Sequence, residues 1–194
     1  MTCITEILKL KGDKKILLQM DDNGKPWLAI EGGGTYKGYE YLITFTDMGH
    51  RCGYVAVPSG HKLDFIKSEK RKIPGSDREY THYEYDVYDI DCHGGITFCE
   101  RNHSIKNLLK TSYNDLWLGF DCAHAWDGKD LALVKEYYGD NSPIVKFYEE
   151  YPQYLLHEGE TMREFDYVER ECKSIIEQLI QKEMQNKLIG EDEC

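Results

Sequence analysis

The sequence lacks the features of a membrane or secreted protein. No apolar run approaches the roughly 18 residues of a membrane-spanning helix. The N-terminal stretch includes Glu6 and has no long apolar core, so it does not look like a secretion signal. The cysteines number seven, an odd count, and no C-x-x-C pair occurs among them. We therefore expect a cytoplasmic protein, in the host cytoplasm if a phage encodes it, with reduced thiols.

Positive charge is scarce. The chain has 24 Lys and Arg residues against 35 Asp and Glu residues, which gives a net charge of −11. A surface with this balance repels duplex DNA and anionic lipid, so we exclude duplex nucleic acid and membranes as partners. The charge leaves open a small nucleotide held in a local pocket, or a basic face on a partner protein.

Established nucleotide-binding and hydrolase signatures are also absent. The sequence has no P-loop, no dinucleotide-binding fingerprint and no G-x-S-x-G nucleophile motif. Gly32-Gly33-Gly34 is not followed by Lys and Ser or Thr at the start of a helix. We therefore interpret it as a turn or hinge that breaks a strand.

The first two thirds of the chain carry strand patterns. Asn23-Gly24 between two apolar runs is a strong hairpin signal. The charged segment Lys62–Arg78 contains Pro74-Gly75 and is predicted to be a mobile surface loop. Strands are expected within residues 4–31, 39–47, 53–57, 80–91 and 115–122.

The last third carries helical patterns, with helices expected over 130–138, 142–150 and 161–188. Thr161 and Glu164 match a capping box for the third helix. Its apolar stripe is expected to pack on the sheet, the alternative being a homodimer through helix 161–188. The sequence thus predicts one α+β domain, 1–194, with a mostly antiparallel sheet. Residues 1–127 form the sheet-rich part, with a loop at about 62–78, and residues 128–194 form the helical part.

Four of the seven histidines stand beside glycine or cysteine at apparent strand ends: His50, His61, His93 and His124. Glycine lets the backbone approach a ligand closely, and histidine can act as acid, base or metal ligand near neutral pH. We therefore expect these segments to converge on one pocket. The bland alternative is that each is an ordinary turn or core histidine.

Within such a pocket, His93 or His124 is the candidate acid or base. Asp121 or Asp127 would orient the histidine or hold a metal. Because His93 precedes two glycines, we expect its side chain at an exposed strand end, where truncation changes stability little. The residues predicted to bind the ligand are His50, Tyr54, His61, Gly94, Gly95, Thr97 and Trp117.

A divalent metal is a less favoured alternative. His50-x-Cys52 and Cys122-x-His124 each place two ligand types on one face of a strand, which could form a Cys2His2 site. The spacing matches no standard zinc motif. Cys52, Cys92 and Cys122 are also candidate nucleophiles, although small buried cysteine is the commoner role.

Three segments carry a family resemblance: GHRCGYVAVPSGH, DCHGGITF and LWLGFDCAHAWD. They resemble an uncharacterised family of small bacteriophage and prophage proteins. That family shows the ordered motifs G-H-x-x-G-Y-V, H-G-G-[LI]-T and [WF]-x-G-F-D-C-A-H. The resemblance covers about residues 46–127 and brings no known activity. The Lys62–Arg78 segment is an insert between the first two motifs.

The resemblance implies a biological setting, because small accessory phage proteins often counter host defence. We expect a counter-defence protein that binds a small nucleotide-like ligand and, in one version, hydrolyses it. The alternative is a non-enzymatic acidic inhibitor that docks on a host defence protein. A phage structural or assembly role is least favoured.

Overall fold

The computed structural model describes residues 5–9, 15–61, 68–72, 74–77, 79–83, 89–101, 116–155 and 159–191. Its strands are β1 (Thr5–Lys9), β2 (Lys15–Met20), β3 (Pro26–Tyr36), β4 (Tyr39–Thr46), β5 (Arg51–Val57), β6 (Ser68–Lys72), β7 (Glu79–Tyr83), β8 (Phe98–Arg101), β9 (Leu116–Asp121), β10 (Asp127–Gly128) and β11 (Thr161–Met162). Its helices are α1 (Leu131–Tyr138), α2 (Pro143–Glu150), a 3₁₀ turn (Pro152–Tyr154) and α3 (Phe165–Glu191). None of the helices in these ranges combines the length and apolar character needed to cross a bilayer.

One antiparallel sheet of seven strands, in the order β1-β2-β3-β4-β5-β9-β8, forms the frame of the molecule. The first five strands lie side by side in sequence order. At the far edge the order departs from that of the sequence, because β9 pairs with β5 and β8 pairs with β9. With the helices in the C-terminal part, this confirms the predicted α+β class and its mostly antiparallel sheet.

Helix α3 covers one face of the sheet. Alternate residues of β4 and β5, such as Ile43 and Val55, point to this face and form the main core with Val168, Cys172 and Ile175 of the helix. The apolar stripe of α3 is therefore packed on the sheet as predicted. The central residues of the predicted stripe are buried within the chain, whereas Met162 at its start is 49% exposed.

The other two helices lie on the same face, nearer the β2 edge. Phe45 shares the face of Ile43 because the two are two residues apart on β4, and it packs with Val134 and Tyr137 of α1 and Val145 of α2. A separate apolar cluster on the opposite face contains Ile30, Leu42, Ala56 and Trp117.

Two strand predictions need correction. The Gly32–Gly34 segment does not break a strand, because β3 continues through it to Tyr36 with a register shift after Ile30. At Gly32 a Cβ would meet the Phe165 ring at 2.9 Å, so glycine here permits helix and sheet to approach. The segment predicted as a loop over 62–78 contains β6, which pairs with β7 around the turn at Pro74-Gly75. Its residues 62–67, 73 and 78 lie outside the described residues.

The third helix begins later than predicted. Thr161 and Met162 form β11, which pairs in parallel with β10 at Asp127 and Gly128. Helix α3 therefore begins at Phe165, and the Glu164 carbonyl accepts the first bonds, from the backbone N–H groups of Tyr167 and Val168. The predicted capping box at Thr161 does not form because a long-range strand pairing extends this residue.

Candidate functional site

The three motif segments meet at one end of the sheet. His50 ends the turn before β5, His93 lies in the segment that leads to β8, and His124 follows β9. Because β5 pairs with β9 and β9 with β8, the ends of these strands are neighbours. The His93 and His124 rings pack edge-to-face, with centroids 5.4 Å apart.

His93 is held at both ring nitrogens. Its Nε2 lies 2.7 Å from Asp127 Oδ2, and its Nδ1 lies 3.0 Å from the Tyr167 hydroxyl. Its backbone N–H donates to Glu171 Oε2. The side chain is only 12% exposed. The expectation of an exposed strand end is therefore wrong: α3 supplies Tyr167 and Glu171, which enclose the residue.

Asp127 is the most buried member of the site, with its side chain 1% exposed. Its carboxylate accepts from His93, from Arg163 Nε at 2.9 Å and from the His124 backbone N–H at 3.0 Å. Burial alone would raise the pKa of Asp127, but these hydrogen bonds lower it below its usual value. Asp127 in turn raises the pKa of Arg163. The group is thus an anion held in one orientation.

The strand pair β10–β11 explains why Arg163 reaches Asp127. Because Asp127 pairs with Thr161, the chain brings Arg163 beside the carboxylate just before α3 begins. Arg51 Nη1 donates to the Arg163 carbonyl, and Arg51 also makes two bonds to the buried Glu31, at 2.6 and 3.0 Å. This ion pair braces the strand pair against the sheet.

His124 occupies the boundary between the enclosed cluster and solvent, with its side chain 35% exposed. Its Nδ1 lies 3.7 Å from Asp127 Oδ2 and 3.9 Å from Asp121 Oδ1. That nitrogen is buried and has no hydrogen-bond partner. Asp121 is fixed by the Thr97 hydroxyl and the Ala123 backbone N–H.

An open pocket of about 440 Å³ adjoins this cluster on the sheet face opposite α3. Tyr54 and Phe98 form an edge-to-face pair in its wall, with centroids 5.3 Å apart. The lining residues are His50, Cys52, Tyr54, Thr97, Phe98, Phe120, Asp121 and Ala123. Asp121 therefore belongs both to the pocket wall and to the surroundings of His124.

Three residues expected in the pocket lie elsewhere or are otherwise engaged. His61 is buried, packs edge-on against Tyr39 and lies 3.3 Å from the Leu179 carbonyl of α3. Trp117 is 1% exposed and belongs to the apolar cluster on the opposite face from α3. The Gly95 backbone N–H donates to the Cys92 carbonyl in a turn, so it is not directed at a phosphate.

The cysteine-based metal site does not assemble. Cys122 lies in the core under α3, whereas Cys52 lines the pocket. Within the described ranges, the residues placed to share a metal are His93, His124 and Asp127, with one ligand atom from each within 4.8 Å of the others. Burial raises the pKa of the thiols of Cys52 and Cys92 to about 12 and also raises that of Cys122, which disfavours a thiolate nucleophile. All five cysteines in the described part of the chain are free, as predicted.

Arg163, Tyr167 and Glu171 were missed by sequence reasoning. Arg163 lies just before α3, and Tyr167 and Glu171 lie in its first turns, outside the segments that carry the histidine and glycine motifs. No sequence pattern indicated them, because Arg163 precedes α3 and its approach to Asp127 depends on the pairing of β10 with β11.

Comparison of the chain with protein-family models, with curated proteins and with solved structures finds no significant match in any of the three. The site is therefore interpreted from its own geometry.

Proposed function

We propose that the chain binds a small nucleotide-like ligand in the pocket beside Tyr54 and hydrolyses a phosphate ester of that ligand. The observation that carries the proposal is the position of Asp121. Its side chain lines the pocket and lies 3.9 Å from His124 Nδ1, next to the buried pair of His93 and Asp127. Ligand binding and proton transfer can thus take place at adjoining groups.

The pocket has the size and the lining of a small-molecule site. A volume of about 440 Å³ falls within the range of about 300–1,000 Å³ that such sites occupy. Tyr54 and Phe98 offer aromatic surface to a base, and Thr97, His50 and Asp121 offer polar groups to a sugar or a base edge. This mixture suits a nucleoside better than a purely apolar ligand.

The adjoining cluster has the components of acid–base catalysis. In hydrolysis, water attacks phosphorus, the bond to the leaving oxygen breaks, and one proton moves from the water to that oxygen. His124 is the better candidate to carry this proton, because its ring is partly exposed whereas His93 is enclosed. Asp127 and His93 then position His124, since Asp127 binds its backbone N–H and the His93 ring packs against its ring.

The biological setting that fits this proposal is phage counter-defence, in the host cytoplasm. A nucleotide-binding or nucleotide-cleaving protein of this kind would remove a signal that activates a host defence. The support for this setting is the resemblance over residues 46–127 together with the presence of a pocket of suitable size.

A second candidate is a non-enzymatic inhibitor that docks on a host defence protein. A group of exposed aromatic side chains on α2 and the 3₁₀ turn favours it: Phe147, Tyr151 and Tyr154 are 39–54% exposed and pack together. Exposed aromatics of this kind are common at protein interfaces. Together with the net charge of −11, they would suit a partner with a basic, partly apolar face.

The experiment incubates the purified chain with a panel of cyclic and linear nucleotides and separates the products by chromatography. We expect at least one nucleotide to bind and to be cleaved, and Tyr54→Ala to weaken its binding about tenfold or more. Tyr36→Ala is the matched control, because Tyr36 contacts Glu177 of α3 and does not line the pocket. Recovery of every nucleotide unbound and intact would favour the inhibitor, which Tyr151→Ala would then test.

A further inference from the structure

We propose that His93, His124 and Asp127 bind a divalent transition metal ion such as Zn²⁺. Each residue offers one ligand atom, and these atoms lie within 4.8 Å of one another. Two imidazole nitrogens and one carboxylate oxygen are a donor set that Zn²⁺ prefers, and three protein ligands leave a coordination position open. The inference stands on this cluster alone. With an ion bound, His124 acts as a ligand through Nδ1, and the proton-carrying role proposed for it above belongs to the metal-free chain.

The distances suit such an ion with small adjustments. With bonds of about 2.0–2.1 Å in tetrahedral geometry, the ligand atoms around zinc lie roughly 3.3 Å apart. His124 Nδ1 and Asp127 Oδ2 are 3.7 Å apart, and His93 Nε2 and Asp127 Oδ2 are 2.7 Å apart. An ion in place of the proton between His93 and Asp127 would increase the distance between His93 Nε2 and Asp127 Oδ2 by about half an ångström.

The second observation is the bonding state of His124. Its Nδ1 is buried without a hydrogen-bond partner, although two carboxylates lie within 4 Å. Leaving a buried polar nitrogen without a partner is energetically unfavourable. A metal ion bonded to this nitrogen would satisfy it, because the free lone pair of a neutral imidazole is a metal ligand.

The surrounding residues orient the three ligands as metal sites require. The Tyr167 hydroxyl lies 3.0 Å from His93 Nδ1 and can accept a hydrogen bond from its N–H when Nε2 is bonded to metal. Arg163 binds Asp127 through Oδ1, which leaves Oδ2 directed at the histidines. The His124 ring fills the space that a side chain on Gly94 would occupy, so it packs against the Gly94 backbone.

Local charge also favours a cation. Asp121, Asp127 and Glu171 bring three carboxylates to the cluster, and Arg163 forms an ion pair with Asp127. Two further positive charges would balance the carboxylates. They would also reduce the repulsion that Asp121 otherwise exerts on an anionic ligand in the pocket.

The probes are Zn²⁺ and Co²⁺ alone, added to the metal-free full chain without nucleotide. Calorimetry should give one site per chain for each ion, and bound Co²⁺ should show visible bands of nitrogen and oxygen ligation. His124→Asn should weaken binding at least 100-fold. Tyr167→Phe, which keeps all three ligands, should weaken it about 10–100-fold. Zn²⁺ should raise the melting temperature of the wild-type chain and leave that of His124→Asn unchanged.

Two controls test the alternative Cys2His2 site that the sequence suggested. His50→Asn and Cys52→Ser each remove one of its ligands, and both variants should bind Zn²⁺ with wild-type affinity. Near-ultraviolet circular dichroism of each variant would establish that it is folded. Absence of stoichiometric binding by the wild-type chain would overturn the proposal. So would a thiolate charge-transfer band with Co²⁺, or equal affinity in wild-type and His124→Asn. Because no nucleotide is present, such a failure would leave the proposed hydrolysis as a separate question.

Discussion

Gly94 and His124 are fitted so closely that a side chain on the first would occupy the space of the second. A Cβ atom built on Gly94 overlaps the imidazole ring of His124. Gly94 also has a φ of +67°, in the left-handed region that glycine adopts readily. The H-G-G motif of the sequence is thus part of the packing that fixes a histidine from the third motif.

Gly94→Ala should therefore disrupt the site by displacing His124. Gly95→Ala is the matched control, because Gly95 has a φ of +85° but open space where its Cβ would lie. Both variants should lose about 1–2 kcal/mol of unfolding free energy to backbone strain. Only Gly94→Ala should also lose catalysis and metal binding. Equal activity in the two variants would show that the position of His124 is unimportant.

Asp127→Asn should destabilise the chain and inactivate it. The substitution removes a negative charge that accepts three hydrogen bonds in a buried position and puts an amide N–H group near donors. Loss of charge-assisted bonds of this kind should lower the free energy of unfolding by about 2–3 kcal/mol. Urea unfolding measures this loss, and an unchanged midpoint would contradict the described hydrogen bonds.

The buried ion pair of Arg51 and Glu31 should contribute strongly to the stability of the chain. Glu31→Gln leaves the buried guanidinium of Arg51 without its anion, so unfolding free energy should fall by about 3–5 kcal/mol. Glu149→Gln is the control, because Glu149 pairs with Lys135 at the exposed surface, where solvent screening leaves the pair little effect on stability. Similar losses in the two variants, measured by urea unfolding, would contradict this assignment.

His50 should make stability depend on pH. Burial, with a smaller effect from Lys129, lowers the pKa of His50 in the folded chain below its ordinary value of 6.5. The unfolded chain therefore takes up a proton first as pH falls below about 6.5, and the folded state loses stability in that window. His50→Asn should remove this part of the loss. Urea unfolding at pH 7.5 and pH 5.5 tests it, and identical pH dependence in both proteins would refute it.

Local patterns were sufficient for most of the fold. Alternating apolar residues predicted β4 and β5, and Asn23-Gly24 predicted the turn between β2 and β3. Asp130 and Gly139 mark the ends of α1, where the Asp130 side chain accepts from the Leu133 N–H. These signals involve residues close in sequence, so they do not depend on the tertiary arrangement.

Which residues form the site was harder to predict from the sequence. Strand geometry could have excluded His61, because β5 separates it from His50 and seven residues of strand span about 20 Å. The parallel pairing of β10 with β11 could not be predicted from local sequence, since it joins segments 34 residues apart, from Asp127 to Thr161. That pairing places Arg163 beside Asp127, and α3 therefore begins only at Phe165. The contributions of Arg163 and Tyr167 therefore become visible only in the folded chain.

The central claim is that the cluster of His93, His124 and Asp127 acts on a ligand held in the adjoining pocket. The most direct test measures nucleotide turnover and melting temperature together for wild-type, His124→Gln and His61→Gln proteins. We expect His124→Gln to lower turnover by about 10²–10⁴-fold with a small change in melting temperature, because its ring is partly exposed. We expect His61→Gln to melt lower but to keep wild-type turnover at temperatures where it is folded, since it lies in the core beside Tyr39. Turnover that survives in His124→Gln, or that disappears in folded His61→Gln, would contradict the claim.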